Sequence, residues 1–192
     1  MTGFVAGLIL FLSVHSISIV APEWRDRIVE RIGLRPWQTV YALVSILGLI
    51  LIIRGYSDLR NQTAILYMLP RWVHAISSML MLPVFPLLLA SFLPGIVRTM
   101  VAGHPTLVAV KFWALAHLLA NGSVADVLLF GSILVWAVIN RISLKKRPGR
   151  RIMMAPPSPR NDLIVVIGGL VIYTLMLRGG HAWLIGMPLV LR

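Results

Sequence analysis

The sequence predicts an all-α protein of the membrane: a polytopic transmembrane helical bundle of about six spans plus an interfacial helix, in one domain over residues 1–192. Three observations lead there. Of the residues, 58% are hydrophobic and only 12% charged, against about 45–50% and 25% in soluble domains. The apolar residues fall in runs of roughly 17 to 25, enough to cross about 30 Å of hydrocarbon at 1.5 Å per residue. The basic residues that give a net charge of +12 lie between those runs.

The first span covers about Gly3 to Val20, and no Lys or Arg precedes Arg25. Without a basic leader or a small-residue cleavage site, it reads as a retained span and not a secretory signal. From Pro22 to Pro36, Trp24, Ile28 and Ile32 share one helical stripe while Arg25, Arg27 and Arg31 lie off it. That pattern suits a helix lying in the headgroup layer. The second span runs from Trp37 to Ile53, followed by a polar connection from Arg54 to Pro70.

The third, Arg71 to Leu93, contains Pro83 and Pro86. A kink is expected there, tolerable in lipid only where neighbours satisfy the freed carbonyls. The fourth opens at His104-Pro105, with proline suited to the first helical position, and stops at Asn121-Gly122. The fifth runs from Val124 to Ile139. A basic, proline-rich loop, Arg141 to Arg160, leads to Asn161-Asp162 as the expected cap of the sixth span, Leu163 to Leu177. The tail, Arg178 to Arg192, is expected to be interfacial or packed on the bundle, and His181 within it to lie at the interface.

Six spans divide the cations unevenly, twelve Lys and Arg on one side against five on the other, with Lys111 inside span four. Cytoplasmic loops carry the excess, so both termini are expected to be periplasmic. Lys111 is placed to snorkel outward. Small residues, Gly3-xxx-Gly7 and the series Ala114, Ala116 and Ala120, allow close helix approach. The two halves show no internal repeat of the kind inverted-topology transporters carry.

Several chemistries are excluded. There is no cysteine, so disulfides, thiolate metal sites and cysteine nucleophiles are absent. No paired carboxylates, catalytic triad, phosphate loop or HExxH motif is present, and no nucleic-acid partner is expected. What remains is a helical bundle bearing histidines. Ionisable groups buried in lipid tend to face the interior and mark functional paths. The candidates are His15 in span one, His74 at the start of span three, and His104 and His117 around span four. Trp113, His117, Ala120 and Asn121 share one face of span four, as a flat cofactor would require. Each histidine can alternatively serve as an inter-helix hydrogen bond. Asp126 is expected to cap or bond the corner between spans four and five. By depth alone, His74 is the nearer partner of His117, and His15 of His104.

The segments His104-Pro105-Thr106-Leu107-Val108, Val110 to Gly122 (with Trp113-Ala114-Leu115-Ala116-His117 and Asn121-Gly122) and Asp126 to Ser132 resemble the core of the NnrU family. Val14-His15-Ser16, Trp24-Arg25, Gly33 and Arg54-Gly55-Tyr56 resemble its first part, so the likeness spans nearly the whole chain as one NnrU-like domain. The resemblance implies a bacterial inner-membrane protein tied to denitrification and nitric oxide metabolism. A related plant enzyme, 15-cis-zeta-carotene isomerase, holds haem b through histidines that match His15 and His117 here. By that likeness His15 and His117 are the expected ligands of a haem b iron, with redox or isomerase-like chemistry on a lipid-soluble substrate. The plant enzyme's cysteine one turn before the second histidine is replaced by Ala114, so a thiol cannot take part. The alternative is a non-catalytic accessory protein that assembles a nitric oxide reductase or another membrane redox protein. Membrane lipid is a partner in either case.

Overall fold

A computed structural model describes residues 1–60, 62–101, 103–146 and 156–186. Among the described residues the chain is helical, its only pairing outside helices an isolated antiparallel bridge between Ile65 and Ser123. Contacts gather the described residues into two units: Met1–Met68 with Asn121–Pro148, and Leu69–Ala120 with Gly149–Arg192.

In the first unit, α1 (Thr2–Val20) packs along α3 (Leu34–Leu59), joined by α2 (Pro22–Ile32). Pro22 opens α2, where its missing N–H would be unpaired in any case. No residue of α2 is buried, as suits a helix on an interface. Its Trp24 meets Trp37 edge-on at 6.0 Å, and the Arg25 guanidinium lies 5.8 Å from the Trp37 ring while bonding Asp26. Gly33, at φ +89°, turns the chain into α3. That helix is longer than the expected Trp37–Ile53: Pro36 fits its first turn, and Arg54-Gly55-Tyr56 continues it.

Close contact of α1 with α3 depends on glycine. A Cβ on Gly7 would lie 2.8 Å from Ile52 N, one on Gly48 3.0 Å from Phe11 N, and one on Gly55 2.8 Å from Phe4 N. Gly3 faces open space. Of the Gly3-xxx-Gly7 pair, only the second brings helices together, against Leu51, Ile52 and the Gly48 carbonyl of α3.

The second unit begins with α4 (Val73–Met81) and α5 (Val84–Leu89), separated by the kink expected at Pro83. Leu82 N bonds the Met79 carbonyl at 3.2 Å, and Ser78 O accepts from the Tyr173 hydroxyl at 3.0 Å. A neighbouring helix thus serves carbonyls at the break, as a proline within lipid requires. After the short α6 (Ile96–Met100) comes α7 (Pro105–Ala120), packed on α4 and α5 around Val84, Leu87 and Ala109.

In the first unit again, α8 (Val124–Leu144) extends past the expected Ile139 and contains a π-helical stretch, Val127–Gly131. In the second unit, α9 (Pro159–Ile185) starts before and ends beyond the expected Leu163–Leu177. Its cap is Ser158, whose Oγ accepts from Arg160 N, with Pro159 in the first turn. Asn161 and Asp162 do other work. Both Asp162 oxygens accept from Ile96 N and Val97 N at 2.9 Å, and Asn161 Nδ2 donates to the carbonyls of Pro94 and Pro156. The helix continues through a π-helical turn, Met176–Gly180, with non-helical Gly179 at φ 140°. Beyond the Gly179 break a short helical turn, His181–Ile185, follows, its His181 lying against His117. The described part of the tail thus packs on the second unit, while the stretches 147–155 and 187–192 lie outside the described residues.

By length and composition, α1, α3, α8 and α9 are each able to cross a membrane, and Val73–Leu89 and Pro105–Ala120 are shorter apolar segments. The stripe Val40, Leu43, Leu47 and Ile50 on α3, and Leu163, Ile167, Val171 and Leu175 on α9, is exposed. Rows of exposed aliphatic residues at helical spacing suit hydrocarbon as the solvent.

Candidate functional site

In the first unit, His15 sits two-thirds of the way along α1. Its Nδ1 lies 2.8 Å from the Phe11 carbonyl one turn back. A carbonyl only accepts, so Nδ1 carries the proton and Nε2 presents a lone pair. The imidazole stacks on Phe11 (centroids 4.1 Å apart, planes at 29°) and lies 5.2 Å from the Tyr41 ring and 5.7 Å, edge-on, from Trp136. Three helices therefore contribute to this aromatic group. Neither Tyr41 nor Trp136 was singled out from the sequence, since an aromatic residue in an apolar helix carries no mark of the face it uses.

In the second unit, His117 repeats the arrangement. Its Nδ1 donates to the Trp113 carbonyl at 2.8 Å, and the two rings are 4.9 Å apart. Ala114 and Ala116 beside it are fully buried, which lets α7 lie close to its neighbours, and Trp113 packs against the Val84–Leu87–Ala109 core. The residue that sequence reasoning placed elsewhere is His181. The Gly179 break directs it back toward α7, its ring 6.4 Å from that of His117 with planes 30° apart. The Gly179-Gly180 pair just before it was the available signal.

The other expected site residues separate. His74 is on the exposed side of α4, its carbonyl accepting from Ser78 Oγ. His104 sits just before α7, half-buried, its carbonyl accepting from Val108 N at 3.4 Å. Asn121 lies beyond the last turn of α7 and groups with the first unit, where its carbonyl accepts from the Tyr67 hydroxyl at 3.0 Å. Burial, and after it the Asp126 charge, raises the Tyr67 phenol above its ordinary value and keeps it protonated as a donor. His15 and His117 belong to different units.

Asp126 is buried and does what its position suggested. Its Oδ2 accepts from Ser123 N at 2.8 Å and Ser123 Oγ at 2.7 Å, while its own N–H reaches Ser123 Oγ, a complete capping box. Its Oδ1 accepts from the Tyr56 hydroxyl at 2.5 Å, tying α8 to α3. Leu66 N donates to Gly122 O at 2.7 Å and Val124 N to Ala64 O at 3.0 Å, pinning the loop after α3 alongside. A side chain on Gly122 would strike the Tyr67 carbonyl, so glycine there serves this crossing as much as the end of α7.

Among the described residues no three or more His, Asp or Glu side chains gather around a point where a metal ion could sit. A metal held here by histidine would have to bring most of its own ligands. No curated protein and no solved structure matches the chain. The family model described as NnrU protein matches residues 3–189, nearly the full length, and the chain belongs to the NnrU family.

Proposed function

We propose that this chain is a haem-b-binding protein of the bacterial inner membrane that acts in nitrogen-oxide metabolism, with His15 and His117 as the residues that would hold the haem iron. The observation that carries the reading is the shared geometry of the two histidines. In each, Nδ1 donates to the carbonyl four residues back at 2.8 Å, so the ring is oriented and Nε2 is the ligating nitrogen. Metal-bound histidines almost always have such a second bond, which fixes the tautomer and strengthens the ligand. Haem suits a chain with isolated histidines because the porphyrin supplies four of the iron's ligands. When bound, haem supplies one-electron and small-molecule binding chemistry at its iron. Phe11, Tyr41 and Trp136 at His15, and Trp113 at His117, provide flat apolar surfaces that exclude water.

A second assignment of the ligands rests on His181. Its ring centroid lies 6.4 Å from that of His117 with the planes 30° apart, so these two imidazoles would be the pair to hold the iron. The absorption spectrum of detergent-purified protein, oxidised and dithionite-reduced, decides among these. A near-stoichiometric Soret band is expected for the wild type and none for His117→Ala. Loss in His15→Ala, with retention in His181→Ala, supports the His15–His117 pair; the reverse supports His117–His181. Protein that stays colourless after haem is supplied would sink the haem reading and leave the accessory role beside a nitric oxide reductase. If there is a reaction, redox or isomerisation of a lipid-soluble substrate best suits sites built on apolar helices.

The proposal includes one domain of six spans, with Val73–Leu89 and Pro105–Ala120 as the third and fourth. At 1.5 Å per residue these measure roughly 24–26 Å, short of about 30 Å of hydrocarbon, and local thinning of the bilayer accommodates them. Both termini then face the periplasm. A cysteine introduced at Lys146 should be shielded from an impermeant thiol reagent in intact spheroplasts, and one at Gln62 labelled. The opposite pattern would invert the topology.

A further inference from the structure

We propose that Trp136, with His15 and Tyr41, forms a binding site for a carbonyl-bearing, flat, lipid-soluble ligand, of which a quinone is the fitting class. This deepens the lipid-soluble-substrate part of the function above, and it does not need the iron. The starting point is an unmet donor. The indole Nε1 of Trp136 is buried and has no hydrogen-bond partner. An N–H without an acceptor is unfavourable anywhere in a protein interior, and more so in a helix surrounded by hydrocarbon, where water does not compensate. The His15 ring lies against the indole, centroids 5.7 Å apart and planes at 88°, and is at best a weak acceptor.

The surroundings specify what would satisfy it. All the walls belong to one unit: α1 contributes Phe11 and His15, α3 contributes Tyr41 and α8 contributes Trp136. The stacked Phe11–His15 pair is a flat platform, which favours a planar conjugated ring over an aliphatic chain. Tyr41 adds a phenol to the same group, a second donor for a ligand oxygen. The missing element is therefore an acceptor, and a carbonyl oxygen is the acceptor that a membrane-soluble planar molecule most simply carries.

Trp136 lies five residues before Arg141 in α8, roughly 7.5 Å along the axis. A phospholipid ester carbonyl is therefore the competing acceptor, but it offers no planar ring to the Phe11–His15 platform. A purely hydrocarbon ligand, such as a carotene, has no oxygen to offer and would leave the indole unsatisfied. The site thus selects an oxygenated ring over a polyene.

The experiment uses full-length, haem-free protein in detergent and a decyl-substituted benzoquinone, with binding measured by equilibrium dialysis. The wild type should bind it, and Trp136→Phe, which keeps the ring and removes the N–H, should bind at least tenfold more weakly. Trp72→Phe, at an exposed position, should match the wild type. Decylbenzene, which has no oxygen acceptor, should bind the wild type and Trp136→Phe equally weakly. A second readout separates this from a structural role: without ligand, Trp136→Phe should melt at the same temperature as the wild type or higher. Equal quinone affinity in wild type and Trp136→Phe would overturn the proposal. So would a lowered melting temperature of ligand-free Trp136→Phe. Because haem is absent from the binding assay, a colourless wild type would defeat the haem reading and leave this one standing.

Discussion

Gly169→Leu should prevent the second unit from folding, and even Gly169→Ala should cost about 3 kcal/mol, the upper range for overpacking a tight contact. A Cβ at this position would come within 2.5 Å of Pro86 Cδ and Cγ and would overlap the Pro86 nitrogen. These atoms belong to a rigid ring and to backbone, in a short helix anchored just after the Pro83 break, so they cannot swing aside. Val165, one turn before Gly169, is fully buried, and α5 and α9 pack against each other here. The adjacent Gly168 is the control. Its added Cβ would meet only Leu89 Cδ1, at 3.3 Å, the movable end of a flexible side chain. Gly168→Ala should therefore change stability by less than about 1 kcal/mol, with gained helix propensity offsetting the contact. Thermal unfolding in detergent measures both. Equal melting temperatures for Gly169→Ala and Gly168→Ala would show that the α5–α9 contact is not as close as described.

Asp126→Ala should lower the stability of the first unit by roughly 3–4 kcal/mol, since hydrogen bonds to charged groups contribute about 1.5–3 kcal/mol each and their loss leaves donors unpaired. The carboxylate is 6% exposed and accepts from Ser123 N, Ser123 Oγ and Tyr56 Oη. Removing it strands a buried backbone N–H and a half-buried phenol while undoing the cap of α8. Asp126→Asn should lose less, about half, because its amide oxygen can still accept at the cap and its NH₂ can donate to the Tyr56 oxygen. Tyr56→Phe isolates one bond. The ring keeps its contacts with Phe4 at 6.3 Å and Phe130 at 6.1 Å, so the expected loss is about 1.5–2 kcal/mol. If Asp126→Ala melted within a degree or two of the wild type, the clasp would not contribute to the fold as argued.

Legibility from sequence differed by kind of residue. Pro83, Pro22 and Pro105 act through local stereochemistry, so the kink and both helix starts could be read from the chain alone. Asp126 was readable as a corner residue because a capping box is local, but its bond to Tyr56, 70 residues away, was not. Asn161-Asp162 misled for the same reason: they look like a cap, yet Ser158-Pro159 precedes them and takes that role, freeing Asp162 to cap α6. Boundaries of α3, α8 and α9 were set too short because charged and glycine residues were read as stops. Helices continue through such residues where tertiary contacts hold them, as at Gly55 against Phe4.

By itself, the sequence determined that the chain is helical, that its long apolar segments suit a bilayer, and which family it belongs to, because composition, run length and motif spacing are one-dimensional properties. It also nominated His15 and His117, since an imidazole in an apolar run stands out. Only the tertiary structure decided that His15 keeps company with Phe11, Tyr41 and Trp136, that a buried indole N–H there lacks an acceptor, and that His181 packs toward His117 instead of lying at the interface. The physical reason is that in a helix hydrophobic on all sides no polarity marks the inward face, so which side chains meet depends on where glycines let the backbones approach.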